Sequence, residues 1–187
     1  ASASADGTVR TWNFRTDATQ LVYRSPDCVR IACWSPQGAR LAIAAWDRSL
    51  HVWDATSNQM LQSLRGHENR LYSVAWHPRI PELMSADWSG NLRRWDLTDT
   101  SGMQEYHIQP PMGLPAIQQL RVVWSPDGTR LAVGNGSETK LWNFESKQFP
   151  VPDVTFEQSF PAWSPDGAQL AMSNRQGATV KNADGTQ

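Results

Sequence analysis

Ten tryptophans fall within 187 residues, and eight of them lie in two interleaved series whose steps constrain the fold more than any other feature of the chain. One series closes an alternating apolar segment with Trp-Asn or Trp-Asp: Trp12-Asn13, Trp53-Asp54, Trp95-Asp96 and Trp142-Asn143, at steps of 41, 42 and 47 residues. The other runs Trp34-Ser-Pro-Gln-Gly, Trp76-His-Pro-Arg, Trp124-Ser-Pro-Asp-Gly and Trp163-Ser-Pro-Asp-Gly, at steps of 42, 48 and 39. Self-similarity at this period marks an architecture in which each unit buries its apolar face against a neighbouring unit.

Each Ser-Pro-Asp-Gly unit has the residues a type I β-turn accepts, with Ser at the first position, Pro presetting φ at the second and Gly at the fourth. The turns therefore join antiparallel strands. Before them stand short apolar segments such as Arg30-Ile-Ala-Cys-Trp34 and Tyr72-Ser-Val-Ala-Trp76. After them come Leu41-Ala-Ile-Ala, Leu83-Met-Ser-Ala, Leu131-Ala-Val-Gly and Leu170-Ala-Met-Ser, small and apolar enough for strands covered on both faces. A third strand ends in the Trp-Asp pair, and a more polar fourth, such as Asn58 to Leu64, completes the repeat. The strands are designated a, b, c and d in chain order.

This pattern, with Gly66-His67 leading to Trp95-Asp96 and with Ala3 to Asn13 as a second good match, closely resembles the WD-repeat (WD40) β-propeller family. The resemblance implies an all-β propeller of four-stranded antiparallel blades around a central channel. Strand counting predicts an incomplete ring, with a partial blade over 1–25, full blades over 26–66, 67–109 and 110–155, and a partial blade over 156–187. Residues 2–14 read as the middle of a repeat and the chain opens on alanine, so it is expected to be a piece of something longer. Unfinished blades leave open sheet edges, which remaining blades or a second copy would have to cover.

The resemblance also implies structural roles. Trp12, Trp53, Trp95 and Trp142 are expected to pack between blades, and His67 to be an oriented ring in a network of His, Ser or Thr, turn Asp and strand-c Trp. The turn Asp is read as Asp6 and Asp47, with Ser89 and Gly136 in the equivalent places of the next two blades, so that the network is degenerate. In the last repeat, Ala183-Asp184 is expected at the Trp-Asp position.

Composition limits the function classes. With 17 basic and 18 acidic side chains the chain has no field of one sign to gather nucleic acid, so no nucleic-acid partner is expected. No apolar run approaches the ~20 residues of a membrane span, and no membrane role is expected. Cys28 and Cys33 are too far apart along an extended strand for a disulfide, which fits reduced thiols and a cytoplasmic setting. His51, His67, His77 and His107 have no zinc spacing, the Asp-Gly turns lack the carboxylates of a calcium loop, and no nucleophile elbow or phosphate-binding loop occurs. Neither a metal, a cofactor nor enzymatic activity is expected. The connection from Ser101 to Gln119, with Pro110, Pro111 and Pro115, reads as a surface loop.

Two tryptophans lie outside both series. Trp46 and Trp88 each stand seven residues before a strand-c Trp, just ahead of Asp47 and Ser89. By the resemblance this position lies on the face of the d–a and b–c loops, where Arg30, Arg70 and Tyr72 also fall as strand a begins. Trp, Tyr and Arg are the types enriched in binding hot spots. Trp46, Trp88, Tyr72, Arg30 and Arg70 are therefore the candidate partner-binding residues, the competing reading being indoles that merely cap the next blade. The sequence predicts a protein-interaction or ligand-sensing scaffold module of a larger multidomain protein, taking a protein or peptide on this face. A purely structural or assembly propeller is the alternative, and a catalytic propeller ranks below both. The Trp-Ser-Pro-Asp-Gly-x-x-Leu-Ala units also resemble the WD-repeat regions of bacterial signalling proteins, where such propellers follow an NTPase or kinase domain.

Overall fold

A computed structural model describes residues 1–98, 106–108, 120–135, 138–144, 154–156, 159–174 and 177–184, which form strands and no helix. Blade I holds β1 (Ser2–Ala3), β2 (Thr8–Asn13) and β3 (Ala18–Arg24), and blade II holds β4 (Val29–Trp34), β5 (Arg40–Ala45), β6 (Leu50–Asp54) and β7 (Gln59–Leu64). Blade III comprises β8 (Leu71–Trp76), β9 (Glu82–Asp87), β10 (Leu92–Asp96) and β11 (Tyr106–Ile108). Blade IV comprises β12 (Arg121–Trp124), β13 (Arg130–Gly134), β14 (Thr139–Asn143) and β15 (Val154–Phe156), and blade V β16 (Ser159–Trp163), β17 (Gln169–Asn174) and β18 (Gly177–Asn182). Each sheet is an antiparallel meander in chain order. The a strands β4, β8, β12 and β16 contact one another in succession, so the blades form an arc and the ring is not closed. Tyr106–Ile108 pair with β10, so part of the segment read as a surface loop is strand d of blade III. The prolines at 110, 111 and 115 and Gly136 lie outside the described residues.

The Ser-Pro turns form for the reasons their residues give. The Gly38, Gly128 and Gly167 N–H groups donate back to the Ser35, Ser125 and Ser164 carbonyls at 2.8, 2.9 and 2.9 Å. The serine hydroxyls then accept from the N–H of Arg40, Arg130 and Gln169, which pins the start of each strand b. Gly128 adopts φ +75°, and a Cβ there would lie 2.4 Å from the His77 ring of blade III. Glycine at this turn thus serves both the left-handed backbone and the approach of the neighbouring blade.

Packing runs between blades. Leu41, Ala42, Ile43, Ala44 and Ala45 of β5 are all fully buried, because blades I and III cover the two faces of blade II. In β17 of blade V only Leu170 and Met172 are buried while Ala171 and Ser173 are exposed, the alternation of a sheet covered on one side. Three strand-c tryptophans pack toward the blade before them. Trp53 lies against Val9 and Val22 of blade I, Trp95 clusters with Ala42, Ala44 and Val52 of blade II, and Trp142 with Met84 and Ala86 of blade III.

Two expectations are corrected here. Trp12, expected to pack between blades like its counterparts, is 53% exposed and makes its one indole hydrogen bond to Ser2 Oγ at 3.1 Å. Its blade has no earlier blade in these 187 residues for the indole to pack on. In the last repeat, Leu170 pairs with Lys181 as Leu41, Leu83 and Leu131 pair with Trp53, Trp95 and Trp142. Lys181-Asn182 therefore holds the Trp-Asp position, two residues earlier than Ala183-Asp184. The b–c turn of blade V closes with Asn174 opposite Gly177, too short for the alignment that placed Ala183-Asp184 there.

Candidate binding face

The b–c turns fold back against the start of strand a through one repeated hydrogen bond. Trp46 N–H donates to the Cys28 carbonyl at 2.9 Å, and Trp88 N–H to the Arg70 carbonyl at 2.8 Å. Cys28 and Arg70 both stand six residues before a strand-a tryptophan, so the bonds are equivalent and carry Trp46 and Trp88 to the same face of consecutive blades. The turns themselves are tied by carboxylates. Asp47 accepts from Ser49 N–H at 3.0 Å and Asp87 from Ser89 N–H at 2.9 Å.

The five candidate residues fall into two contact groups, Trp46 with Arg70 and Arg30 with Tyr72 and Trp88. The Arg70 guanidinium lies 4.6 Å from the Trp46 ring centroid, across the boundary between blades III and II. Arg30 of blade II lies 5.5 Å from the ring of Tyr72, which meets the Trp88 ring at 5.1 Å with the planes tilted by 55°. Arg30 and Arg70 are exposed, Trp88 is 36% exposed, and Trp46 and Tyr72 are half-buried. Trp46 Nε1 is buried with no hydrogen-bond partner among the described residues. Trp46 thus acts partly as packing, while Trp88 presents its ring to solvent. A cation–π contact of this kind does not use the guanidinium N–H groups as hydrogen-bond donors.

The structural network differs from its reading in the sequence. In blade III it is complete: His67 Nε2 lies 2.6 Å from Ser85 Oγ, His67 Nδ1 3.1 Å from Asp87 Oδ2, and Trp95 Nε1 donates to Ser85 Oγ at 2.8 Å. Asp87, not the position of Ser89, supplies the carboxylate: it stands where blade II has Ala45, two residues before the turn position held by Asp47. Burial opposes the charge on Asp87, but hydrogen bonds from His67 and Asn91 outweigh it and hold its pKa below the usual carboxylate value.

Blade II has no histidine ahead of strand a and uses another route. His51 Nε2 sits 2.8 Å from the Tyr23 hydroxyl of blade I and 2.7 Å from Ser49 Oγ, which donates to Asp47. Burial pushes the His51 pKa down. Ser49 and His51 are 1% and 5% exposed, so this hydroxyl is out of reach of a substrate and the group serves as a tie between blades. Among the described residues no three His, Cys, Asp or Glu side chains form a metal-holding group.

Two features were missed in the sequence. The strand-a tryptophans, read only as turn markers, also link blades: Trp76 Nε1 donates to the Cys33 carbonyl at 3.0 Å and Trp163 Nε1 to the Val123 carbonyl at 3.2 Å. Each acceptor directly precedes the strand-a Trp of the blade before. The second is a cavity of about 250 Å³ beside Tyr72, lined by Arg30, Ile31, Tyr72, Ser73, Leu120, Arg121 and Phe160. Ile31, Ser73, Arg121 and Phe160 each stand three residues before a strand-a Trp, an offset that was available in the sequence.

Comparison with known proteins follows the same repeats. The family model described as WD domain, G-beta repeat matches residues 20–54 and 58–96. The anaphase-promoting complex subunit cdc20 of Dictyostelium discoideum is 28% identical over 155 residues, covering 81% of this chain and 30% of that protein. A guanine nucleotide-binding protein subunit beta of Schizosaccharomyces pombe is 36% identical over 76 residues, 40% of this chain and 25% of the relative. A chain in the crystal structure of a mitotic checkpoint complex superposes with a TM-score of 0.81 at 20% identity, over 96% of this chain and 56% of its own length. The chain thus spans about a third or less of these curated relatives.

Proposed function

We propose that this chain, which belongs to the WD-repeat family, is a non-catalytic scaffold that takes a protein or peptide on the face of its d–a and b–c loops. The observation that carries the reading is a pair of contact groups on consecutive blades, Arg70 over Trp46 and Arg30 beside Tyr72 and Trp88, with Trp88 and both arginines open to solvent. Large amphipathic rings beside guanidiniums give contact area and directional hydrogen bonds at low entropic cost, the usual make-up of a hot spot. The relatives fit such a role, since one is named as a subunit of the anaphase-promoting complex and another as a G-protein beta subunit.

The test is selection of peptides from a random displayed library on the intact protein, followed by affinity measurement with Trp88→Ala and with Trp12→Ala as a control for an exposed indole elsewhere. Trp88→Ala should weaken the selected peptides by about 2 kcal/mol or more, roughly thirtyfold, with little change in melting temperature. Trp12→Ala should leave binding unchanged. Selected peptides indifferent to Trp88, or recovery of none, would overturn the reading.

A further inference from the structure

The cavity beside Tyr72 has an unusual charge balance. Arg30 of β4 and Arg121 of β12 both line it, and Arg70, two residues before Tyr72 in the chain, lies over Trp46. All three are exposed, and none makes an ion pair among the described residues. The nearby turn carboxylates are already engaged, Asp47 by Ser49 and Asp87 by His67, Ser89 and Asn91. Overall composition does not explain this concentration, because the chain carries a net charge of -1. It is a local arrangement, drawn from two blades whose a strands both line the cavity.

We propose that this cavity is an anion pocket that receives an acidic side chain of the bound peptide. The inference rests on the binding face described above and names what that face selects. A carboxylate accepts two parallel N–H bonds from a guanidinium edge. Arg30, 5.5 Å from the Tyr72 ring, can offer such an edge, and Arg121 on the same lining can supply a second. The Tyr72 and Ser73 hydroxyls, both on the lining, are further donors. A volume of about 250 Å³ admits an Asp or Glu side chain with a few waters. The neighbouring Trp88 and Arg70 would then hold the peptide on either side of the acidic residue.

Fluorescein-labelled hexaglutamate, followed by anisotropy against the intact protein, tests this with hexalysine as the opposite-charge control. Hexaglutamate should bind, hexalysine should not, and the affinity should fall as salt rises from 50 to 200 mM. Arg30→Gln/Arg121→Gln should weaken hexaglutamate at least about tenfold. Arg15→Gln/Arg79→Gln, which removes the same charge from exposed sites elsewhere, should leave it unchanged. The proposal is overturned if hexaglutamate does not bind, or if the two double variants weaken it equally. Displayed peptides that depend on Trp88 but bind regardless of Arg30 and Arg121 would retain the binding face while removing the anion pocket.

Discussion

Blades I and III carry the same strand-c tryptophan in opposite circumstances. Trp95 is 2% exposed and tied by its indole N–H to Ser85, whereas Trp12 is 53% exposed and tied only to Ser2 at the surface. The local sequences are alike, Thr11-Trp12-Asn13 against Arg94-Trp95-Asp96, and both indoles project from the same position of an antiparallel meander. What separates them is the preceding blade. A repeat of this kind specifies its own sheet, but the burial of its most costly side chain is supplied by its neighbour.

The comparison is broken most directly by alanine at the two positions. Trp95→Ala should cost about 3–5 kcal/mol, the range for a buried large aromatic, and Trp12→Ala about 1 kcal/mol or less, as for a largely exposed side chain. Urea denaturation of the two variants measures both values. Equal losses would mean that the tryptophan acts within its own sheet and that the neighbour is incidental.

A smaller effect separates the two turn carboxylates. Asp87→Ala strands the buried His67 ring and removes the acceptor of Asn91, which should cost about 2–3 kcal/mol, the penalty of leaving buried polar groups unpaired. Asp47 is half-buried and serves Ser49, so Asp47→Ala should cost about 1 kcal/mol. Thermal melts compared side by side decide the order. A reversal would place the weight of the network in blade II.

Most of the fold was legible because it is written in features with a fixed period. The Ser-Pro turns and the apolar runs from Leu41 and Leu131 specify strands a and b through local turn chemistry and burial on two faces. What escaped was set by neighbours or by loop length. Trp12 reads like Trp53 in one dimension, and its exposure depends on what lies beside the sheet. Asp87 was passed over because the carboxylate moves two positions earlier within a turn of unchanged length, so that alignment by offset from Trp95 points to Ser89 instead. His51 and Tyr23 could not be paired from sequence, since they come from different blades and replace a motif rather than match it. The candidate binding face was the more legible site, because Trp46 and Trp88 exceed what the repeat needs. Arg121 was missed because its partners in the cavity lie on three other blades.

The substitute network of blade II gives the finest distinction, and it is read through pH. Burial holds the His51 pKa below its ordinary value of 6.5, so the unfolded chain takes up a proton there before the folded chain does. Stability is then full above about pH 6.5 and falls as pH drops through that value toward the folded pKa. His77, also pushed down mainly by burial, acts in the same direction and window. Asp87 behaves differently: its depressed pKa contributes stability above the ordinary carboxylate value of 3.8 that is lost only as pH falls below it. Melting temperatures should therefore decline in two stages on acidification, the first between about pH 7 and 5 from the histidines. His51→Gln should flatten the first stage, leaving the residue due to His77, without moving the second. Asp87→Asn should make the second stage shallower without moving the first, leaving the part due to Asp127 and the other carboxylates whose pKa values are depressed. If His51→Gln leaves the first stage unchanged, the tie through Tyr23 and Ser49 does not depend on a neutral His51, and the first stage belongs to His77.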